Sequence, residues 1–110
     1  MNGDGHRESR TDAAAAVAAV LAVFDNEASS ARLFQWRLRF ASIADVLESS
    51  ELSDGEALQT AAEMVVDLYS GGRNITDFYL IREDFEEQRL LNLDFETKLK
   101  TLEHAVGVED

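Results

Sequence analysis

Hydrophobic side chains recur three and four residues apart in four stretches of the chain, which is the spacing of one face of an α-helix. The second stretch is the most regular, alternating steps of three and four over two heptads. The four series are Val17, Val20, Leu21 and Phe24; Leu33, Trp36, Phe40, Ile43 and Leu47; Leu58, Ala61, Ala62, Val65, Leu68 and Tyr69; and Phe95, Leu99, Leu102 and Val106. The pattern predicts four helices, each burying one face.

Small polar residues predict where the first two helices begin. Thr11 or Asp12 can cap the first helix, because their side-chain oxygens can accept from free amides of the first turn. The register of hydrophobic positions changes within residues 25–30, so we expect a break there, with Ser29 or Ser30 capping the second helix. Residues 1–11 are polar, contain glycine and show no periodicity, and are therefore predicted to be a disordered tail.

The third and last helices carry their own boundary signals. Ser53 and Glu56 form a capping box, in which each side chain accepts from the other residue's backbone amide. The double glycine at 71–72 predicts the end of the third helix. Asn92 is predicted to cap the last helix, and Gly107 is predicted to end it.

The stretch between the third and last helices is irregular. Residues 78–81 are four bulky apolar side chains in a row after a turn, which predicts either an extended segment or a single helical turn pressed into the core. Asp84 with Glu87 can start a further turn of helix. We therefore predict an all-α fold: residues 12–108 form one domain, a small bundle of about four helices with an irregular Gly-Gly connection.

Composition narrows the possible functions. The 110 residues include 22 acidic and 10 basic side chains, a net charge of −12, with no cysteine and no proline. Such a charge disfavours nucleic-acid and anionic-membrane binding. The apolar run over residues 13–24 is too short to span a bilayer and follows an acidic flank atypical of a signal peptide, so we expect a cytoplasmic protein.

The usual constellations of enzymes and cofactor sites are missing from the sequence. There is no cysteine nucleophile, and His104 is predicted in the last turn of the final helix, where a cation meets the negative end of the helix dipole. No histidine pair or calcium-loop spacing is present, and the double glycine follows a helix rather than preceding one, unlike a phosphate loop. We therefore expect a non-enzymatic protein without metal or cofactor. Arg32 and Arg39 are expected to extend over Trp36.

The acidic excess is concentrated in one block. Residues 51–87 have a net charge of −8, whereas residues 1–50 and 88–110 carry −2 each. Like charges one helical turn apart, such as Glu63 and Asp67, cost stability, so their retention favours a surface that meets a basic partner. The candidate partner-binding residues are Glu56, Glu63, Asp67, Asp77, Glu83, Asp84, Glu86 and Glu87.

The double-glycine region carries a resemblance to known proteins. Leu68-Tyr69-Ser70-Gly71-Gly72, then Ile75-Thr76-Asp77-Phe78-Tyr79-Leu80, then an amphipathic C-terminal helix, is similar to a family of small uncharacterised bacterial helical domains. Several of those proteins look like immunity proteins that neutralise a toxin. The resemblance covers roughly residues 33–106, and Arg73-Asn74 replaces the small-residue turn usual in the family.

These observations lead to one leading hypothesis and two alternatives. The leading hypothesis is an acidic protein-binding domain that neutralises a basic partner, such as a toxin nuclease, by covering the cations that hold phosphates. The first alternative is a phage-encoded inhibitor that mimics nucleic acid. The second is a structural homodimer that pairs two copies along the Leu33–Leu47 series, with the charge serving solubility.

Overall fold

A computed structural model of the chain describes residues 3–27, 30–70, 75 and 78–108. Four helices occupy most of this part: α1 (Gly3–Asp25), α2 (Ala31–Glu48), α3 (Asp54–Asp67) and α4 (Phe85–Val106). The prediction of a small all-α bundle with four main helices is confirmed. The double glycine and residues 73, 74, 76 and 77 lie outside the described residues.

The start of α1 corrects the prediction of a disordered tail over residues 1–11. Residues 3–11 form the first turns of α1, so Thr11 and Asp12 lie within the helix and do not cap it. Arg10 explains the extension, because its guanidinium donates to the carbonyl oxygens of Leu47 (2.6 Å) and Leu52 (3.0 Å) and pairs with Asp54 (3.0 Å). These contacts give carbonyls at the end of α2 a cationic donor and hold α1 against the α2–α3 turn.

The predicted break between the first two helices is confirmed. Helix α1 ends at Asp25, and the Ser30 side chain caps α2 by accepting from the amide of Leu33 at 3.1 Å. Such a cap contributes about 1 kcal/mol to helix stability.

Helix α3 begins with the predicted capping box. The Glu56 amide donates to the Ser53 hydroxyl at 3.1 Å, and the Ser53 amide donates to the Glu56 carboxylate at 3.0 Å. The helix ends at Asp67, several residues before the double glycine, and Leu68 and Tyr69 continue as a turn. The earlier end places the Leu68 side chain in the core and leaves that of Tyr69 39% exposed.

The start of α4 corrects the prediction for Asn92. Asp84 caps the helix, accepting from the Glu87 amide at 2.7 Å, so α4 begins one residue later and runs through Asn92. The Asn92 side chain instead accepts from the Leu80 amide at 2.7 Å and donates to the Leu80 carbonyl at 2.8 Å. It thereby satisfies both backbone groups of a residue outside any helix or strand.

Helix α4 ends as predicted. Gly107 adopts a left-handed conformation with φ of 91°, which costs glycine little, and the Val108 amide donates back to the Glu103 carbonyl at 2.8 Å. Val108 packs against the core, and His104 lies in the last turn, where the sequence placed it.

Helix α1 is the centre of the bundle. It packs against α2, α3 and α4, and α3 also contacts both α2 and α4, whereas α2 and α4 do not pack directly on each other. Phe78, from the connection before α4, lies between them: its ring centroid is 6.4 Å from that of Trp36 on α2 and 5.4 Å from that of Phe95 on α4. Phe78, which belongs to no helix or strand, thus completes the core.

The heptad series on α2 is used inside the monomer. Trp36, Phe40, Ile43 and Leu47 are all buried in the core, and Leu33 packs against it. The second alternative above, a homodimer along this series, would require the same side chains to leave the core.

Phe24 provides a test of this packing, because its buried ring lies within 6 Å of the rings of Phe40, Phe78 and Phe95. We expect Phe24→Ala to lower the free energy of unfolding by about 3–5 kcal/mol, measured by chemical denaturation. Phe34→Ala is the matched control, since that ring is 59% exposed, and should change stability by less than about 1 kcal/mol. Equal losses from both variants would contradict the packing described.

Candidate functional site

Three of the candidate acidic residues lie along α3. Glu56, Glu63 and Asp67 are exposed and spaced seven and four residues apart, so they share one side of the helix. The pKa of Glu56 is lowered, chiefly by the hydrogen bond from the Ser53 amide and also by the Ser53 side chain. Asp67 accepts from Arg39 of α2 at 3.2 Å.

Four others lie at the start of α4. Glu83 and the cap residue Asp84 precede the helix, Glu86 and Glu87 belong to its first turn, and all four are exposed. Asp77, the eighth candidate, lies outside the described residues. The candidates therefore form two groups on different helices, one along α3 and one at the start of α4.

Most of these carboxylates already have partners. Glu86 pairs with Arg89 at 2.5 Å, and Glu87 lies 3.4 Å from Nε of Arg82. Glu56 and Asp84 cap helices, as described above. Among the described residues, Glu63 and Glu83 have neither an ion pair nor a side-chain hydrogen bond. These contacts are exposed, so a partner with better geometry can replace them at small cost.

Exposed apolar side chains surround the start of α4, a feature that the helical series in the sequence did not reveal. Phe85 is 76% exposed, Leu90 52% and Leu93 45%. Phe95 stands beside Phe24 near the end of α1, and the ten residues of α4 before Phe95 span about 15 Å of helix. We call Glu83, Phe85, Glu86, Glu87, Leu90 and Leu93 the α4 end surface.

The segment leading into this surface is held firmly to the rest of the bundle. The Arg82 guanidinium makes two hydrogen bonds to the Glu27 carboxylate, at 2.8 and 2.7 Å, and the Arg82 amide donates to the Gln88 side chain at 2.9 Å. The Arg82 hydrogen bond lowers the pKa of Glu27, although burial acts in the opposite direction. The α4 end surface is thus attached through an ion pair between α1 and the connection.

A groove of about 550 Å³ lies between the end of α3, three residues of the connection (Ile75, Phe78 and Tyr79) and α4. Its walls carry four aromatic side chains, Tyr69, Phe78, Tyr79 and Phe95, together with aliphatic residues such as Val66 and Leu99. We call it the α3–α4 groove. Sequence analysis missed it because three separate segments of the chain form its walls.

The polar residues of the α3–α4 groove include a buried carboxylate. Glu103 is only 8% exposed and accepts a hydrogen bond from the Tyr69 hydroxyl, while Glu96 and Lys100 line the groove at exposed positions. Within the described residues, no cation lies within 4 Å of the Glu103 carboxylate. A buried carboxylate without a cationic partner is uncommon in folded proteins.

The arginines on α2 follow the sequence prediction in part. The Arg39 guanidinium lies over Trp36, 4.9 Å from the ring centroid, as expected. Arg32 instead lies over Phe78 and Tyr79, 5.5 Å from each centroid. Both contacts are cation–π interactions.

The described residues provide no cluster of three or more histidine, aspartate or glutamate side chains arranged to hold a metal ion. In the same residues, no helix has the length and apolar character needed to cross a membrane.

Comparison with family models, curated proteins and solved structures finds no match. The resemblance to small bacterial helical domains therefore stays a prediction, and functional inference depends on the α4 end surface and the α3–α4 groove.

The Glu27–Arg82 pair gives a pH-dependent prediction. Because the pKa of Glu27 is lowered in the folded state from its ordinary 4.5, its contribution to stability is present above that value and is lost as pH falls through the folded pKa. We expect Glu27→Gln to lower the free energy of unfolding by about 1–3 kcal/mol at neutral pH, between the values for exposed and buried pairs. The difference in the free energy of unfolding between the native chain and Glu27→Gln should shrink towards pH 3, as measured by denaturant titrations.

Asp94→Asn is the matched control for that experiment, because it removes the carboxylate of an exposed pair with Lys98. It should cost less than about 0.5 kcal/mol at neutral pH. If the loss in free energy of unfolding caused by Glu27→Gln does not change with pH, the role of the ion pair is contradicted.

Proposed function

We propose that this protein is a non-enzymatic binding domain that neutralises a basic protein partner, most simply a toxin nuclease, in the manner of immunity proteins. The observation that supports the proposal is the α4 end surface, where three exposed apolar side chains stand among carboxylates at one end of the molecule. Protein interfaces commonly combine apolar anchors with a charged rim.

The charge distribution supports a basic partner rather than a neutral one. The acidic block over residues 51–87 carries −8, and Glu83, Glu86 and Glu87 of its second half belong to the α4 end surface. A surface of this charge raises the association rate with a basic protein and lowers it with an acidic one. Phe85, Leu90 and Leu93 would provide the contact area that slows dissociation.

The proposed mechanism is occlusion. Carboxylates of Glu83, Glu86 and Glu87 would pair with lysine and arginine side chains that otherwise bind the phosphates of the partner's nucleic-acid substrate. No reacting group is needed from this domain, since covering those cations excludes the substrate. The α3 carboxylates Glu56, Glu63 and Asp67 would extend the same negative field along the bundle.

The first test is capture of the partner from the native host. The tagged domain should retain a basic protein at roughly 0.05 M salt and much less at roughly 0.5 M, because screening weakens charge-steered association. The captured protein should have nuclease activity that an equimolar amount of the domain suppresses. No basic protein at either salt concentration would contradict the proposal. A captured DNA-binding protein without toxic nuclease activity would favour the nucleic-acid mimic instead.

A set of charge variants tests whether the α4 end surface is the contact. Combining Glu83→Gln, Glu86→Gln and Glu87→Gln should lower the association rate with the captured partner by about tenfold or more and weaken its salt dependence. The matched control combines Asp12→Asn, Asp45→Asn and Glu48→Gln, which removes the same charge from exposed positions on α1 and α2. If surface plasmon resonance shows that both sets of substitutions lower the association rate equally, the rate depends on the net charge and not on the α4 end surface.

A further inference from the structure

We infer that the α3–α4 groove is a binding site for a small organic ammonium cation with an apolar or aromatic body. The groove volume of about 550 Å³ lies within the range of small-molecule sites, which is about 300–1,000 Å³. The inference is separate from the proposed function, because the groove and the α4 end surface share no residue.

The groove walls suit a cation with an apolar body. Tyr69 and Phe95 contribute aromatic rings, and Val66 and Leu99 contribute aliphatic surface. Aromatic faces attract cations through their quadrupole, and cages of such rings bind alkylammonium groups. Arg32 already makes this type of contact with Phe78 and Tyr79, and it does not line the groove.

Glu103 determines the sign of the ligand charge. The residue is 8% exposed, and its carboxylate accepts a hydrogen bond from the neutral hydroxyl of Tyr69. No cation of the described residues lies within 4 Å of it, and an ammonium group in the groove would give this carboxylate a charged donor. A charge-assisted hydrogen bond in such a site is stronger than a neutral one.

The remaining polar residues agree with this assignment. Glu96 lines the groove in addition to Glu103. Among the described lining residues Lys100 is the one cation, so these residues carry an excess of negative charge. An anionic ligand would be repelled by both carboxylates. A neutral ligand would displace water from Glu103 without giving it a charged donor.

The experiment compares benzylammonium with benzyl alcohol, a neutral probe of similar size and shape. Binding to the full chain is followed by backbone amide chemical shifts at about 0.15 M salt, which screens the net charge of the protein. We expect benzylammonium to bind about tenfold more tightly or better, as for hydrogen bonds to a charged group. Shifts should concentrate at Val66, Leu99 and Val108, and not at Phe34 or Leu38.

The decisive variant is Glu103→Gln, which keeps an acceptor for the Tyr69 hydroxyl and removes only the charge. It should bind both probes with similar affinity. Glu51→Gln is the matched control, because it removes one charge from an exposed turn outside the groove, and it should keep the preference for the cation.

Three results would overturn the inference: equal affinity of the native chain for the two probes, no binding of benzylammonium, or equal effects of the two variants. If Glu103→Gln does not fold, the comparison of the two probes on the native chain still decides. Failure here would leave partner capture by the α4 end surface unaffected, since capture is measured without these probes.

Discussion

Phe24 sets the arrangement of the bundle, because its ring is the point where α1, α2, the connection and α4 meet. The rings of Phe40, Phe78 and Phe95 stand 5.5, 5.3 and 5.8 Å from it, centroid to centroid. Tilted and edge-on contacts of this kind add to the burial of the rings themselves. The position of α4, and with it the α4 end surface and one wall of the α3–α4 groove, follows from this cluster.

Regular periodicity made the four helical faces predictable, since a buried stripe must repeat every 3.6 residues. Local chemistry also predicted the caps at Ser30 and Ser53, because each needs only residues within one turn. Arg10 and Asn92 were different. Most of their partners are backbone carbonyls and amides outside their own helix, and such groups have no side-chain signature in the sequence.

For the acidic residues too, the sequence predicts some properties and the tertiary fold determines others. Their concentration over residues 51–87 was visible in the sequence, but their division between α3 and the start of α4 depended on the tertiary fold. Glu103 was not among the candidates, because one acid in a helical pattern resembles many solvent-exposed ones. Its burial follows from the position of Tyr69 beyond the end of α3, which no local pattern encodes.

The position of Phe78 between α2 and α4 has a consequence for synthesis on the ribosome. Helices α1 to α3 emerge before residue 78, and until then Trp36 and Phe24 lack a ring that completes their surroundings. A nascent chain that has reached only α3 therefore exposes apolar surface that Phe78 covers in the folded domain, and such surface is a site for chaperone binding. The aromatic core is complete only when the connection and α4 have followed α1 to α3 out of the ribosome.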